Sequence, residues 1–120
     1  MAKDPIKLLG TILSIWAHPD DESWCAAGIL AAASENGQRV VCITATRGEK
    51  GVQDESRWPS SKLGQIRQTE LETALKILGI TEHHWLDYKD GGCESVNEDE
   101  AVSKLGRVMA DVKPDVVLTF

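Results

Sequence analysis

Residues 11–45 read TILSIWAHPDDESWCAAGILAAASENGQRVVCITA, and the order of patterns in this stretch decides the fold. Residues 11–17, TILSIWA, and residues 39–45, RVVCITA, are short, nearly continuous apolar runs rich in β-branched side chains. Such runs suit strands covered on both faces. Between them, ESWCAAGILAAASENG has the length of a helix, with acids in its first turn and Gly37 just past its end. Strand, helix and strand in that order make a βαβ unit, which implies a parallel pair and an α/β layered fold.

The same alternation continues downstream. A second helix is expected from Ser60 or Ser61 to Leu78, with Leu63, Ile66, Leu71, Ala74, Leu75 and Leu78 on one face and Gly79 as its stop. HHWLDY, residues 83–88, then reads as a short strand. Asn97 with Glu100 three positions on forms an N-cap signal for a third helix. Its apolar positions are Val102, Leu105, Val108, Met109 and Val112, and Pro114 ends it before a fourth strand, DVVLTF, at residues 115–120. The predicted fold is therefore α/β, Rossmann-like, with a mostly parallel sheet. The polar, glycine-bearing segment 47–61 is long for so small a unit and is a candidate lid or binding loop.

Composition narrows the partners. The 120 residues are 42% hydrophobic and 27% charged, as in one soluble globular domain. Thirteen Lys plus Arg against nineteen Asp plus Glu give a net charge of -6, with no basic block to follow a phosphate backbone, so nucleic acid is not expected. Cys25, Cys42 and Cys93 form no C-x-x-C pair. Cys25 and Cys42 sit among apolar neighbours like buried free thiols, and a reducing cytoplasm suits all three. Residues 8–17 are too short to span a bilayer, so no membrane partner is expected. Lys3 and Lys7 before them raise the possibility of a signal peptide, but cleavage after Ala17 would remove the first strand. Of Trp16, Trp24, Trp58 and Trp85, all are expected in the core except Trp58, which lies in the polar loop where it can stack on a sugar.

The chemistry concentrates where the first strand stops. Ligands of open α/β sheets sit beyond the carboxyl ends of the strands, and His18, Asp20, Asp21 and Glu22 occupy that place. Pro19 forces a turn, which lets His18 and Asp21 converge on one point. An imidazole and a carboxylate suit Zn²⁺ or another divalent ion, and Asp20, turned elsewhere by the bend, could take a proton from water held there. The residues alone leave a second interpretation open, in which the three acids cap a helix and His18 is a satisfied strand-end side chain.

AHPDDE at residues 17–22, directly after an apolar strand, resembles the signature of the LmbE-like (PIG-L) family of metal-dependent N-acetylglucosaminyl deacetylases. TATRGEKG, RQTELETALKILGI, LDYKDG and KPDVVLTF resemble further stretches of that family along most of the chain. The resemblance implies His18 and Asp21 as zinc ligands, Asp20 as general base, Arg67 facing substrate and Asp90 near the sugar hydroxyls. It implies removal of the N-acetyl group from a small GlcNAc-containing substrate.

For Arg67 the alternative is a surface pair with Glu70, and for Asp90 a turn residue before Gly91 and Gly92. His83 and His84 stand at the start of the third strand, the wrong end for ligands. Relatives are expected to be about twice as long, with a third ligand after the fourth strand. Residues 1–120 are thus expected to be the N-terminal part of a single deacetylase domain, truncated after that strand and inactive or nearly so as supplied. An exposed fourth strand would leave an edge open to pairing, so a homo-oligomer is possible. A non-catalytic α/β sugar- or nucleotide-binding module is the competing class, weakened by the lack of a glycine-rich phosphate loop.

Overall fold

The computed structural model describes residues 4–120; Lys3, which bears on the signal-peptide question, lies outside them. Four strands and three helices alternate: β1 (Ile12–Trp16), α1 (Asp21–Glu35), β2 (Val40–Thr44), α2 (Ser60–Leu78), β3 (Glu82–Trp85), α3 (Glu98–Val112) and β4 (Val116–Leu118). The strands lie in the order β3-β2-β1-β4, and every pairing is parallel. The register sets Ile12 beside Val40 and Val116, and Thr44 beside Trp85.

Side chains alternate across a strand, so β1 feeds two cores. Ile12 and Trp16 face one way, with Ala26, Leu30 and Ala33 of α1 and Leu71 and Leu75 of α2. Leu13 faces the other way, with Val41 and Ile43 of β2 and Val112 of α3, joined by the partly buried Leu105 and Val108. Helices on both faces explain why all five residues of β2 are buried. Exposed apolar residues on α3 depart from the expected stripe: Val102 and Met109 lie on its open side.

Boundaries follow local chemistry. Asn97 caps α3, its side chain accepting the Glu100 N–H at 3.0 Å. Gly79, at φ 81°, closes α2 in the left-handed conformation that glycine adopts without steric cost. β3 is shorter than expected. Leu86 and Tyr88 still donate their N–H groups to Thr44 and Ala45, but Asp87 between them takes φ 61°, which breaks the strand.

Two residues of α1 overturn their sequence assignment. Trp24 and Cys25, expected in the core, are both exposed, Trp24 by 88%. The buried stripe of α1 runs instead through Glu22, Ala26, Leu30 and Ala33, which are spaced for one helical face. Cys42 is buried as expected, and its thiol is pushed up to about 11 by that burial.

Candidate active site

β2 and β3 lie on one side of β1 and β4 on the other, so the carboxyl end of β1 faces the crevice of a topological switch point. The chain leaves β1 through Ala17, whose carbonyl accepts both the N–H and the hydroxyl of Thr46. Those bonds fix the strand end against the start of the loop after β2. His18 follows, and Pro19 turns the chain into α1.

The turn is closed by Asp21, whose Oδ2 accepts the His18 backbone N–H at 2.9 Å and lies 3.7 Å from His18 Nδ1. The other ring nitrogen, Nε2, is 3.0 Å from Asp90 Oδ1. Asp90 is held in turn: its Oδ2 accepts the Lys50 N–H at 3.0 Å, and its own N–H donates to Glu49 Oε1 at 2.6 Å. Asp90 does precede a turn at Gly91, but its carboxylate is directed at His18. Glu49 was missed from sequence, although it sits between two glycines in the loop already marked as a binding segment.

Asp20 occupies the N-cap position of α1 without capping it. Its φ is 87°, and its side chain makes no cap hydrogen bond. The carboxylate is 66% exposed and points toward α2, where Arg67 Nη2 approaches its Oδ2 at 3.5 Å. Helix capping therefore does not account for this acid.

Arg67 pairs with two loops rather than with Glu70. Nη1 donates to the Gly48 carbonyl and Nη2 to the Pro19 carbonyl, each at 2.9 Å. Gly48 and Gly51 pack so tightly on the guanidinium that a Cβ there would stand 2.1 and 2.8 Å from Nη1. The arginine thus ties the turn between β1 and α1 to the loop after β2. Beside it lies a cleft of about 410 Å³ between that loop and α2, bounded by Asp20, Trp58 and Arg67 among others.

Glu22 is fully buried under the turn. Ser23 donates to its Oε1 at 3.3 Å, and Oε2 has no partner among the described residues. Desolvation raises its pKa above the usual carboxylate range. Its place four residues before Ala26 and eight before Leu30 was the signal that it faces inward.

His83 and His84 are remote in role. His83 contacts the Thr44 hydroxyl at 2.9 Å, and burial lowers its pKa to about 4, so the ring stays neutral.

His18 and Asp21 suit a divalent ion in donor type and in spacing. Two donors, each about 2 Å from a shared cation, can span the 3.7 Å between Nδ1 and Oδ2. Among the described residues, no group of three or more His, Cys, Asp or Glu side chains is arranged to hold a metal.

An all-parallel sheet with an imidazole and acids gathered at its switch point is the arrangement in which open α/β folds place small-ligand sites, at the strand ends. The chain belongs to the PIG-L family, described as GlcNAc-PI de-N-acetylase, whose pattern matches residues 13–120. It is 34% identical to a 1D-myo-inositol 2-acetamido-2-deoxy-alpha-D-glucopyranoside deacetylase of Streptomyces scabiei, over 98% of this chain and 43% of that protein. A protein of the same name from Saccharomonospora viridis is 32% identical, over 91% and 49%.

Among solved structures, N,N'-diacetylchitobiose deacetylase from Pyrococcus horikoshii superposes with a TM-score of 0.83 at 30% identity, covering 96% of this chain and 42% of that one. GalB, the 4-carboxy-2-hydroxymuconate hydratase from Pseudomonas putida, follows at 0.78 and 25%, covering 92% and 46%. The chain spans less than half the length of each of these proteins. Among the described residues, no helix is long and apolar enough to cross a membrane.

Proposed function

We propose that the protein is a metal-dependent hydrolase that removes the N-acetyl group from a small GlcNAc-containing substrate. One observation carries the proposal: His18, Asp21 and Asp90 meet at the end of β1 while Asp20, in a left-handed backbone, is turned free of its helix beside Arg67. The names of the relatives support the acetamido sugar as the substrate class. The three free thiols support a reducing compartment and hence a cytoplasmic protein.

His18 and Asp21 would hold Zn²⁺ or a similar divalent ion. Such an ion, when bound, polarises the acetamide carbonyl and makes nearby water more acidic. Asp90 accepts a hydrogen bond from His18 Nε2–H, which fixes the tautomer and leaves the Nδ1 lone pair beside Asp21. The Asp20 carboxylate accepts a proton from the attacking water and returns it to the departing amine, so one water and one amide give acetic acid and an amine, which leave as acetate and ammonium. Arg67 holds the Pro19 carbonyl and with it the orientation of Asp20.

GalB is a second fold neighbour that adds water to its substrate, but to a muconate rather than an amide. The test is zinc titration of wild type, His18→Ala and Asp21→Asn, followed, in the full-length gene product, by acetate release from N,N'-diacetylchitobiose by wild type and Asp20→Asn. Zinc binding that needs both residues, with acetate release at least about 100-fold slower in Asp20→Asn, is expected. Equal rates remove Asp20 from the chemistry, and zinc binding indifferent to both ligands leaves a non-catalytic binding module.

A further inference from the structure

The turn that carries His18, Asp20 and Asp21 has two stems, Trp16 at the end of β1 and Glu22 in the first turn of α1. Both stem side chains are buried, Trp16 at 3% exposure and Glu22 at none. Each ends in a polar atom that has no partner among the described residues, the indole Nε1 of Trp16 and Oε2 of Glu22. No other buried side-chain nitrogen or oxygen among those residues is left so. Buried polar groups are almost always hydrogen-bonded, because leaving one unpaired forfeits its hydration with nothing in return.

The two orphans belong to one layer of the core. Trp16 packs with Ala26, Leu30 and Ala33 of α1, and Glu22 stands on the same buried stripe, one turn before Ala26. Side chains alternate along β1, so Ser14, two residues before Trp16, faces this layer too. Its hydroxyl is fully buried and makes a long bond, 3.5 Å, to the Val41 carbonyl. Ser14 acts on the Cys42 thiol through a hydrogen bond and Glu22 acts on it through charge, so both side chains approach one point of the sheet.

The chemistry of the pair selects what joins them. An indole N–H only donates, which turns a cation away, and a carboxylate turns an anion away. An apolar molecule satisfies neither. Water accepts from the first and donates to the second, and the Ser14 hydroxyl gives it a third contact, the usual number for an internal water.

We propose that an internal water joins Trp16 Nε1 to Glu22 Oε2, with Ser14 as its third contact, and clamps the two stems of the 17–21 turn together. Trp16 and Glu22 are thereby positioning residues: they lie beneath the turn and fix the span across which His18 and Asp21 face each other. The inference stands apart from the reaction proposed above, since it concerns the frame under the turn whatever the turn binds. It also accounts for a carboxylate on the inner face of α1.

The test uses the full-length gene product labelled with nitrogen-15. Water-selective NOESY and ROESY spectra read the Trp16 indole proton, which is assigned by its disappearance in Trp16→Phe. A cross-peak to water is expected, with the sign that marks a bound rather than a diffusing molecule. It should persist in Glu22→Gln, whose amide oxygen still accepts, and in Ser14→Ala, where hydroxyl exchange cannot be its source. It should vanish in Glu22→Met. A peak that survives Glu22→Met overturns the site, and its absence from wild type does so in favour of a direct indole–carboxylate bond.

The clamp is read at the His18 amide, which closes the turn onto Asp21 Oδ2 at 2.9 Å. Its hydrogen exchange should quicken by about tenfold in Trp16→Phe and Glu22→Met, the effect of losing one buried bridge, and keep the wild-type rate in Glu22→Gln. The Ile80 amide, bonded to the Leu75 carbonyl at 2.9 Å and remote from the turn, is the control and should hold its rate. Equal acceleration at both amides is a general loosening of the fold and overturns the clamp, as does an unaltered His18 rate in Trp16→Phe.

Discussion

Replacing Arg67 with alanine tests whether this side chain organises the turn between β1 and α1 or only decorates it. The guanidinium is 20% exposed and donates to two backbone carbonyls of buried residues, Gly48 and Pro19. A hydrogen bond from a charged donor is worth about 1.5–3 kcal/mol, and a buried acceptor left unpaired forfeits most of it. Water can reach part of this site, so the two bonds together come to about 2–4 kcal/mol. The 3.5 Å approach to Asp20 adds nothing to the figure, because that carboxylate is largely in solvent. Urea unfolding followed by circular dichroism should show this loss as a lower midpoint with an unchanged slope, and a fall in Tm of about 10 °C. Arg67→Lys should recover less than half, since an ammonium is a point charge that does not reproduce the fork spanning the two carbonyls. A loss below about 0.5 kcal/mol for Arg67→Ala would refute the reasoning and return the arginine to the role of a surface group awaiting substrate.

Two further outcomes follow from buried groups. His83 has a pKa of about 4 in the fold against 6.5 in the free side chain, so the unfolded chain binds the extra proton between those values. Stability is full above pH 6.5 and falls by up to ~3 kcal/mol as pH drops to 4; unfolding of His83→Gln across that window should show a shallower decline, and an unaltered slope would contradict the assignment. Thiol labelling at pH 8 should modify Cys25 and Cys93 quickly and Cys42 only after denaturant is added, because Cys42 is buried with its pKa raised to about 11; three thiols reacting at one rate would be inconsistent with the packing of β2.

The βαβ frame was legible because its signals are redundant: β-branched runs, a helix of matching length and Gly37 or Gly79 at a stop all point the same way. The end of β1 was legible too, since a proline after a histidine forces a turn wherever the strand stops. What escaped notice was the rotation of α1. Alanine, tryptophan and cysteine all count as apolar, so a helix rich in them offers several equally good faces, and the sequence stripe that includes Trp24 is as plausible as the observed one through Ala26 and Leu30. Glu22 was hidden for the opposite reason, because a carboxylate is not expected to lie on the inner face. The second contacts of Asp90 and Arg67 depend on where loop 47–59 folds back, and no local pattern encodes a contact between residues 40 positions apart.

The backbone at Asp20 restricts what mutation can do there. Few residues tolerate a positive φ: glycine does so freely, aspartate and asparagine with modest strain, and branched or bulky side chains poorly. Of those three, glycine has no proton acceptor and asparagine has no basic one. Glutamate keeps the acid but adds a methylene and prefers the helix that begins one residue later. Under the proposed role as general base, geometry and basicity therefore select the same amino acid independently. Under that role drift at this position has no neutral route, and replacing the aspartate changes the chemistry, the local chain path, or both.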